Sequence, residues 1–142
     1  MKTLKEIMTK QCMTLTTQNT IRDAALMMKQ HDIGFIPILE GKNLVGVVTD
    51  RDIVIRGLAG GKSDSASLKE IMSTGIKTVP SSTTADEAAR MMAREKIRRL
   101  PVVDNGELVG VVAIGDLAVR EIFVDEAGQA LSEISESAKT MS

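Results

Sequence analysis

The sequence predicts a mixed α+β fold made of two tandem β-α-β-β-α units, packed sheet to sheet with pseudo-twofold symmetry. Residues 4–53 align with residues 68–117 at a constant offset of 64 without a gap, and 19 of the 50 aligned positions are identical. Each unit contains one stretch of helical apolar spacing, followed by two apolar runs around a turn. A unit of roughly 50–60 residues buries little surface alone, so we expect the two to form one domain.

The first half of each unit reads as a short strand and a helix. Extended segments at residues 14–16 and 78–80 precede helices whose apolar residues recur every three or four positions. Thr20 and Thr84 stand before these helices, and an acidic residue follows three positions later in each case. This spacing predicts capping boxes, with the glutamate of the second repeat as the better partner.

The second half of each unit reads as a hairpin and a closing helix. The turns between the apolar runs are rich in glycine and asparagine, and Asn105-Gly106 is the pair most typical of a tight hairpin. The predicted strands and closing helices are residues 33–39, 44–48 and 51–58 in the first unit, and residues 97–103, 108–112 and 115–123 in the second.

The chain therefore divides into four segments. Residues 1–59 form the first repeat, and the polar, glycine-rich residues 60–67 are the linker. Residues 68–123 form the second repeat. Residues 124–142 form a polar C-terminal tail that we expect to be partly helical or frayed.

The composition argues against several classes of protein. Eighteen basic and nineteen acidic side chains give a net charge of −1, so no global field favours nucleic acid or an anionic membrane. With two Phe and neither Trp nor Tyr, the chain lacks aromatic platforms for single-stranded nucleic acid. One cysteine and one histidine argue against a paired-cysteine or a multi-histidine metal centre. Because no signal peptide or membrane span is evident either, we expect a soluble, cytoplasmic protein.

The stretch from Gly46 to Ile53 carries the most informative chemistry. A strand ends and a helix starts at Thr49, so free backbone N–H groups and the positive end of the helix dipole predict an anion site. Asp52 lies on the first turn of that helix. An ionised carboxylate accepts hydrogen bonds only, and the two vicinal hydroxyls of a ribose are suitable donors.

The same residues also fit a purely local role. Thr49 and Asp52 have the spacing of a capping box, in which both side chains serve their own helix. Two observations favour a ligand. Asp116 holds the matching position in the second repeat although its cap partner there is Ala113. A glycine also interrupts the preceding apolar strand in both repeats, which is typical of close approach by another group.

This arrangement resembles the cystathionine β-synthase-type (CBS) domain pair, often called a Bateman module. The resemblance covers about residues 1–123 and rests on the doubled hydrophobic–Pro–hydrophobic strand, followed by Gly-hydrophobic-hydrophobic-Thr-x-x-Asp. It implies units that meet through their sheets, and a homodimer of two such pairs. It also implies that an adenosine compound (AMP, ADP, ATP, S-adenosylmethionine or an NAD-like molecule) binds in a cleft between the repeats. That compound would be a regulatory ligand whose binding is relayed to an unknown partner protein. The resemblance implies no required cofactor.

The resemblance also assigns ligand contacts. It makes Asp52 the ribose ligand and Thr49 a phosphate or ribose-phosphate contact. Asp116 matches the second ribose position. Ala113 stands where the family has Thr or Ser, so a phosphate at the second cleft loses one hydroxyl contact, and that cleft either binds poorly or suits a different ligand.

Further contacts are implied around the strand prolines and the first strands. Arg98 and Arg99 precede Pro101 and can supply bidentate contacts to phosphates. In the alternative interpretation they belong to a solvated basic face. Thr14 and Thr78 fall in the segments that would house the base.

Three functions remain after these observations. No nucleophile–base pair or cofactor fingerprint is evident, so we do not expect catalysis. Residues 57–63 resemble a P-loop, which has four residues between its first glycine and its Gly-Lys pair. Only three residues lie between Gly57 and Gly61. The favoured function is a ligand-binding sensor. The alternatives are a structural or dimerisation scaffold with vestigial clefts and, less favoured, nucleic-acid binding through the basic face at residues 90–99.

Overall fold

The computed structural model describes residues 2–118, which fall into two compact units. One unit is Met13–Ile76, and the other combines the residues up to Cys12 with those from Lys77 onward. The compact units therefore differ from the sequence repeats. Residues 2–12 and the aligned residues 66–76, called the leading segments below, each pack with the body of the other repeat. The predicted helix end at residues 119–123 and the tail at residues 124–142 lie outside the described residues.

The order of elements confirms the mixed α/β class and the repeated β-α-β-β-α pattern. In the second repeat the first strand shortens to a single bridging residue, Val79, which pairs with Val102. In chain order the elements are α1 (Leu4–Ile7), β1 (Leu15–Thr16), α2 (Ile21–His31), β2 (Phe35–Glu40), β3 (Asn43–Thr49), α3 (Asp50–Asp52), a π-helical stretch (Ile53–Leu58), a 3₁₀ turn (Leu68–Glu70), α4 (Ala85–Glu95), β4 (Arg99–Asp104), β5 (Glu107–Ala113) and α5 (Ile114–Ala118).

Each unit contains one of the predicted hairpins. In the unit Met13–Ile76, β1 runs parallel to β2, and β2 pairs antiparallel with β3 around a turn at Gly41. In the other unit β4 pairs antiparallel with β5. Asn105 and Gly106 turn that hairpin with φ values of 53° and 82°, both in the left-handed region that this residue pair adopts at low cost.

The helices α2 and α4 begin at the predicted threonine caps. Thr20 closes a full box, since its Oγ1 accepts from Asp23 N at 3.2 Å and its own N–H donates to Asp23 Oδ2 at 2.9 Å. Thr84 accepts from Glu87 N at 3.2 Å, but the carboxylate of Glu87 lies against the Thr84 hydroxyl and not its amide. The expectation that the glutamate would be the better partner was wrong.

The leading segment of each repeat supplies carbonyl groups to the start of a helix. Ile21 N–H donates to Ala66 O at 3.0 Å in one unit, and Ala85 N–H donates to Lys2 O at 3.1 Å in the other. Donors and acceptors are both related by the 64-residue offset. Such carbonyls satisfy amides that have no partner within the helix, so each leading segment helps to cap the helix beside it.

The leading segments also complete the two cores. Leu68 and Leu4 are the first residues of the repeated Leu-Lys-Glu-Ile-Met motif, and both are fully buried. Leu68 packs among Ile36, Ile38 and Val48. Leu4 packs in the core that also contains the buried residues Ala88, Met92, Leu100, Val102, Val112 and Leu117.

The glycine in each apolar strand is explained by these segments. A Cβ atom at Gly46 would lie 2.9 Å from both Met72 Sδ and Ser73 O, and one at Gly110 would lie 2.6 Å from Met8 Sδ. The predicted close approach therefore exists, but the approaching group belongs to the chain itself. The glycines do not indicate a ligand, which corrects one argument made from the sequence.

Asp104, at the end of β4, gives the fold a dependence on pH. Its carboxylate accepts from Ser81 Oγ at 2.6 Å and from Ser81 N at 2.9 Å. These bonds, that of the hydroxyl first, hold the pKa of Asp104 below its ordinary value of 3.8. Because the folded pKa is the lower one, this stabilisation is complete above the unfolded value and is lost as the pH falls through the folded value.

We therefore expect Asp104→Asn to make the free energy of unfolding less sensitive to acid. Urea unfolding of the variant and the wild type, at about pH 6 and about pH 2.5, measures this difference. The variant should lose less stability between the two pH values than the wild type does. Equal losses would show that the carboxylate of Asp104 does not contribute.

Candidate functional site

The predicted site lies where β3 passes into α3, in the unit Met13–Ile76. Thr49 ends β3 and is the N-cap of α3, and the helix continues directly into the π-helical stretch. π-helical turns often occur at functional positions in proteins. Asp52 therefore sits on the first turn of a continuous run of helical backbone, as the sequence predicts.

The backbone amides at this helix start are already occupied. Asp50 N donates to Gly34 O at 3.1 Å, and Arg51 N donates to Asp50 Oδ1 at 2.8 Å. Asp52 N donates to Thr49 Oγ1 at 3.1 Å. The expectation of free N–H groups for an anion was therefore wrong, because neighbouring carbonyl and side-chain oxygens satisfy all three.

Thr49 and Asp52 form the capping box that the local interpretation predicts. Besides the bond to Thr49 Oγ1, Thr49 N donates to Asp52 Oδ2 at 3.0 Å. An ionised carboxylate has about four acceptor positions, and the box occupies one of them. The box thus restrains one oxygen of the carboxylate without exhausting the capacity of Asp52 to accept hydrogen bonds.

Two further side chains reach the carboxylate of Asp52. Ser73 Oγ lies 3.4 Å from both Oδ1 and Oδ2, and Arg56 Nε lies 3.9 Å from Oδ1. The side chain of Asp52 is 12% exposed, whereas that of Arg56 is 54% exposed. The result is a mostly buried carboxylate that is bordered by a hydroxyl and a partly solvated guanidinium.

Asp116 plays the matching local role in the other unit. Its Oδ2 accepts from Ala113 N at 2.8 Å, so it keeps the carboxylate half of a capping box. That half needs only a backbone amide, which alanine supplies as well as threonine does. The argument that Asp116 persists without a capping role was therefore wrong.

Arg98 and Arg99 fall in the same compact unit as Asp116. Arg99 is opposite Ala113 in the β4–β5 ladder, and Arg98 O accepts from Ile114 N at 2.9 Å. Both arginine side chains are exposed, and within residues 2–118 neither forms an ion pair. The structure thus groups these arginines with the second acidic position.

The two threonines predicted near the base fall one in each unit. Thr14 is half-buried and directly precedes β1, whereas Thr78 is exposed and directly precedes Val79. Thr14 therefore shares a unit with Asp52, and Thr78 shares one with Asp116.

Sequence reasoning missed Ser73 and Arg56. The offset of 64 places Ser73 opposite Thr9, so both repeats carry a hydroxyl residue directly after the Leu-Lys-Glu-Ile-Met motif. Arg56 follows Asp52 by four residues, the spacing of a helical ion pair. These two signals were available but did not by themselves indicate a common target.

The described residues hold few groups for metal or redox chemistry. Among residues 2–118, no three His, Cys, Asp or Glu side chains lie close enough together to hold a metal ion. Cys12 is half-buried, and burial raises the pKa of its thiol, which disfavours the reactive thiolate. No helix in this part of the chain is long and apolar enough to cross a membrane.

Comparisons with known proteins agree with this architecture. The CBS domain model matches residues 4–58 and 68–121. CBS domain-containing protein YhcV of Bacillus subtilis is 43% identical over 135 residues, which cover 95% of this chain and 96% of that protein. The crystal structure of Hypoxic Response Protein I with two coordinated zinc ions has a TM-score of 0.77 at 35% identity, over 84% of this chain and 98% of that one.

A second similar structure contains nucleoside ligands. It is the CBS domain pair of protein MJ0100 in complex with 5′-methylthioadenosine and S-adenosyl-L-methionine. Its TM-score is 0.73 at 30% identity, over 83% of this chain and 98% of that one. The chain described here therefore belongs to the CBS-domain family and consists of a tandem pair of CBS repeats.

Proposed function

We propose that the protein is a non-catalytic regulatory module that binds an adenosine-containing ligand through the carboxylate of Asp52. The observation that carries the proposal is that hydrogen bonds within the protein occupy only part of the acceptor capacity of this carboxylate. Its only backbone hydrogen bond within residues 2–118 goes to Oδ2, while Oδ1 has only long contacts to Ser73 and Arg56. The sugar hydroxyls of a nucleoside are donors that such an acceptor can take.

The capping box is compatible with this role. A binding site works best when its groups are held in the productive orientation before the ligand arrives, because less entropy is then lost on binding. Thr49 N–H supplies part of that restraint at 3.0 Å. The complex of the MJ0100 domain pair with two adenosine compounds supports a nucleoside as the ligand class.

The remaining contacts belong to the same proposal. Arg98 and Arg99 are exposed guanidinium groups in the same unit as Asp116 and suit the phosphates of AMP, ADP, ATP or an NAD-like ligand. Thr14 and Thr78 are proposed to border the base. A cleft between the repeats and the relay to a partner protein remain predictions of the family resemblance, and the cytoplasmic location remains a prediction from the sequence.

Dimerisation is the second part of the proposal. Val54, Ile55 and Leu58 are 52%, 51% and 77% exposed, although they lie on the helical stretch that follows Asp52. Val54 and Ile55 line an open depression of about 330 Å³, together with Asp50 and Arg51. Exposed apolar groups of this kind favour association, so a second copy of the chain is the proposed occupant.

The contacts of the basic face do not favour nucleic-acid binding. Arg90 forms an ion pair with Asp86, and Arg94 Nε lies 3.8 Å from Glu95 Oε1. These acidic neighbours reduce the positive potential that a phosphate backbone would meet. The scaffold with vestigial clefts remains the alternative that an experiment must separate from the sensor.

A thermal-shift screen against AMP, ADP, ATP, NAD and S-adenosylmethionine tests the proposed function. A ligand at 100 times its dissociation constant stabilises the folded state by about 2.7 kcal/mol. For a chain of this size we expect the melting temperature to rise by roughly 8 °C. Ribose 5-phosphate and guanosine serve as controls. No shift with any adenine compound would favour the scaffold.

A further inference from the structure

We infer that Ser73 is a positioning residue for Asp52, and that the segment Ile71–Ser73 is therefore part of the sugar site. The juxtaposition is the Ser73 hydroxyl against both oxygens of the Asp52 carboxylate. The inference deepens the proposed function and rests on it for the ligand, but the restraint on Asp52 can be measured without any ligand.

The backbone of Ser73 is held firmly where its hydroxyl is needed. Ser73 N donates to Val47 O at 2.8 Å, and Val47 N donates to Ser73 O at 3.0 Å. This reciprocal pair fixes the residue on β3, the strand that leads into the helix start of Asp52. These two backbone hydrogen bonds hold the Cα atom of Ser73 beside β3, so only the χ1 angle of Ser73 determines whether its hydroxyl meets the carboxylate.

The distances from Ser73 Oγ indicate that it orients the carboxylate of Asp52 without using up the capacity of that carboxylate to accept hydrogen bonds. O–H···O hydrogen bonds are strongest between about 2.5 and 3.0 Å. At 3.4 Å from each oxygen, the hydroxyl of Ser73 restrains the rotamer of the Asp52 side chain but leaves acceptor capacity for a ligand. A sugar hydroxyl can then bind to a carboxylate whose direction is already set.

Arg56 connects the same segment to the same carboxylate. Its Nη1 lies 3.2 Å from Met72 O and 3.5 Å from Ile71 O, while its Nε lies 3.9 Å from Asp52 Oδ1. One guanidinium thus spans the carbonyl groups of the segment and the acid. A ligand that binds the carboxylate of Asp52 would therefore also change the contacts of residues 71–73, through the side chains of Ser73 and Arg56.

The second repeat provides an internal comparison. Thr9 aligns with Ser73 and makes the same backbone pair, with bonds of 2.9 and 3.0 Å to Val111. Within the described residues, however, the hydroxyl of Thr9 forms no hydrogen bond with Asp116. The restraint is thus specific to Asp52, and Thr9→Ala is a matched control for Ser73→Ala.

The first experiment needs no ligand. NMR couplings report whether the χ1 angle of Asp52 occupies one rotamer or an average of several. We expect one dominant rotamer in the wild type, in Thr9→Ala and in Ser73→Thr, and an average in Ser73→Ala. A serine that only packs against β3 would not change this angle. A single Asp52 rotamer in Ser73→Ala would therefore overturn the inference.

The second experiment measures affinity for adenosine by calorimetry in the same four proteins. Loss of the Ser73 hydroxyl should weaken binding about fivefold, which corresponds to one ordinary hydrogen bond. Ser73→Thr should stay within about twofold of the wild type, because it keeps the hydroxyl. Equal affinities in Ser73→Ala and the wild type would overturn the inference. If the wild type binds neither adenosine nor any compound of the thermal-shift screen, the proposed function fails, and the rotamer measurement alone decides the role of Ser73.

Discussion

Asp52→Asn is expected to weaken adenosine binding by at least about 30-fold while the melting temperature changes little. Hydrogen bonds to a charged acceptor contribute about 1.5–3 kcal/mol, and the amide replaces one carboxylate oxygen with a donor that cannot accept from a sugar hydroxyl. The remaining amide oxygen can still accept from Thr49 N, as Asp52 Oδ2 does at 3.0 Å. Asparagine therefore separates the binding role from the capping role. Alanine would remove both, at a cost of about 1 kcal/mol for the cap.

Two matched variants make this result specific. Asp23→Asn changes the carboxylate of the other capping box in the same unit, and it should leave adenosine binding unchanged. Asp116→Asn changes the aligned acid, whose cap partner is Ala113, and it should weaken binding less than Asp52→Asn does. Calorimetric titration measures all three. Normal affinity in Asp52→Asn would mean that this acid is only a cap, and equal losses in the two aligned variants would contradict the ranking of the sites.

Leu4→Ala is expected to destabilise the unit that contains most of the second repeat, although Leu4 itself belongs to the first repeat. Leu4 is fully buried in the core formed with Leu100 and Val112. Removing such a side chain costs about 3 kcal/mol when the cavity cannot collapse. Amide hydrogen exchange locates the effect, and we expect protection to fall first in α4 and in the β4–β5 hairpin.

The aligned variant Leu68→Ala is the reciprocal control. Leu68 is fully buried in the core of the unit Met13–Ile76, so protection should fall first in α2 and the β2–β3 hairpin. If instead Leu4→Ala first exposed α2, the leading segments would pack within their own sequence repeats. The exchanged arrangement of the two compact units would then be wrong.

Much of the fold was predictable because the signals are local. The apolar spacing, the threonine caps and the Asn105-Gly106 turn each depend on a few neighbouring residues. The exchange of leading segments was not predictable from the same signals. Leu4 and Leu68 head the same five-residue motif, and this motif states what must be buried but not in which of two similar cores.

The candidate site was predictable to a similar extent. The spacing of Thr49 and Asp52 predicted their capping box, which the structure contains. The contacts of Ser73 and Arg56 depend on the register of residues 71–73 against β3, and no local pattern reports that register. The strand glycines were misread for the same reason, since the group that fills their space comes from a segment distant in sequence.

Pairing of Asp52 with sugar hydroxyls is tested most directly by comparing adenosine with 2′,3′-dideoxyadenosine, in the wild type and in Asp52→Asn. Calorimetry gives four dissociation constants. The loss of affinity on removing the hydroxyls in the wild type, divided by the same loss in Asp52→Asn, isolates the coupling between the hydroxyls and the carboxylate. We expect removal of the hydroxyls to weaken binding to the wild type about 30-fold and to Asp52→Asn less than about threefold. The same loss in both proteins, or none in the wild type, would show that the carboxylate of Asp52 does not bind the sugar.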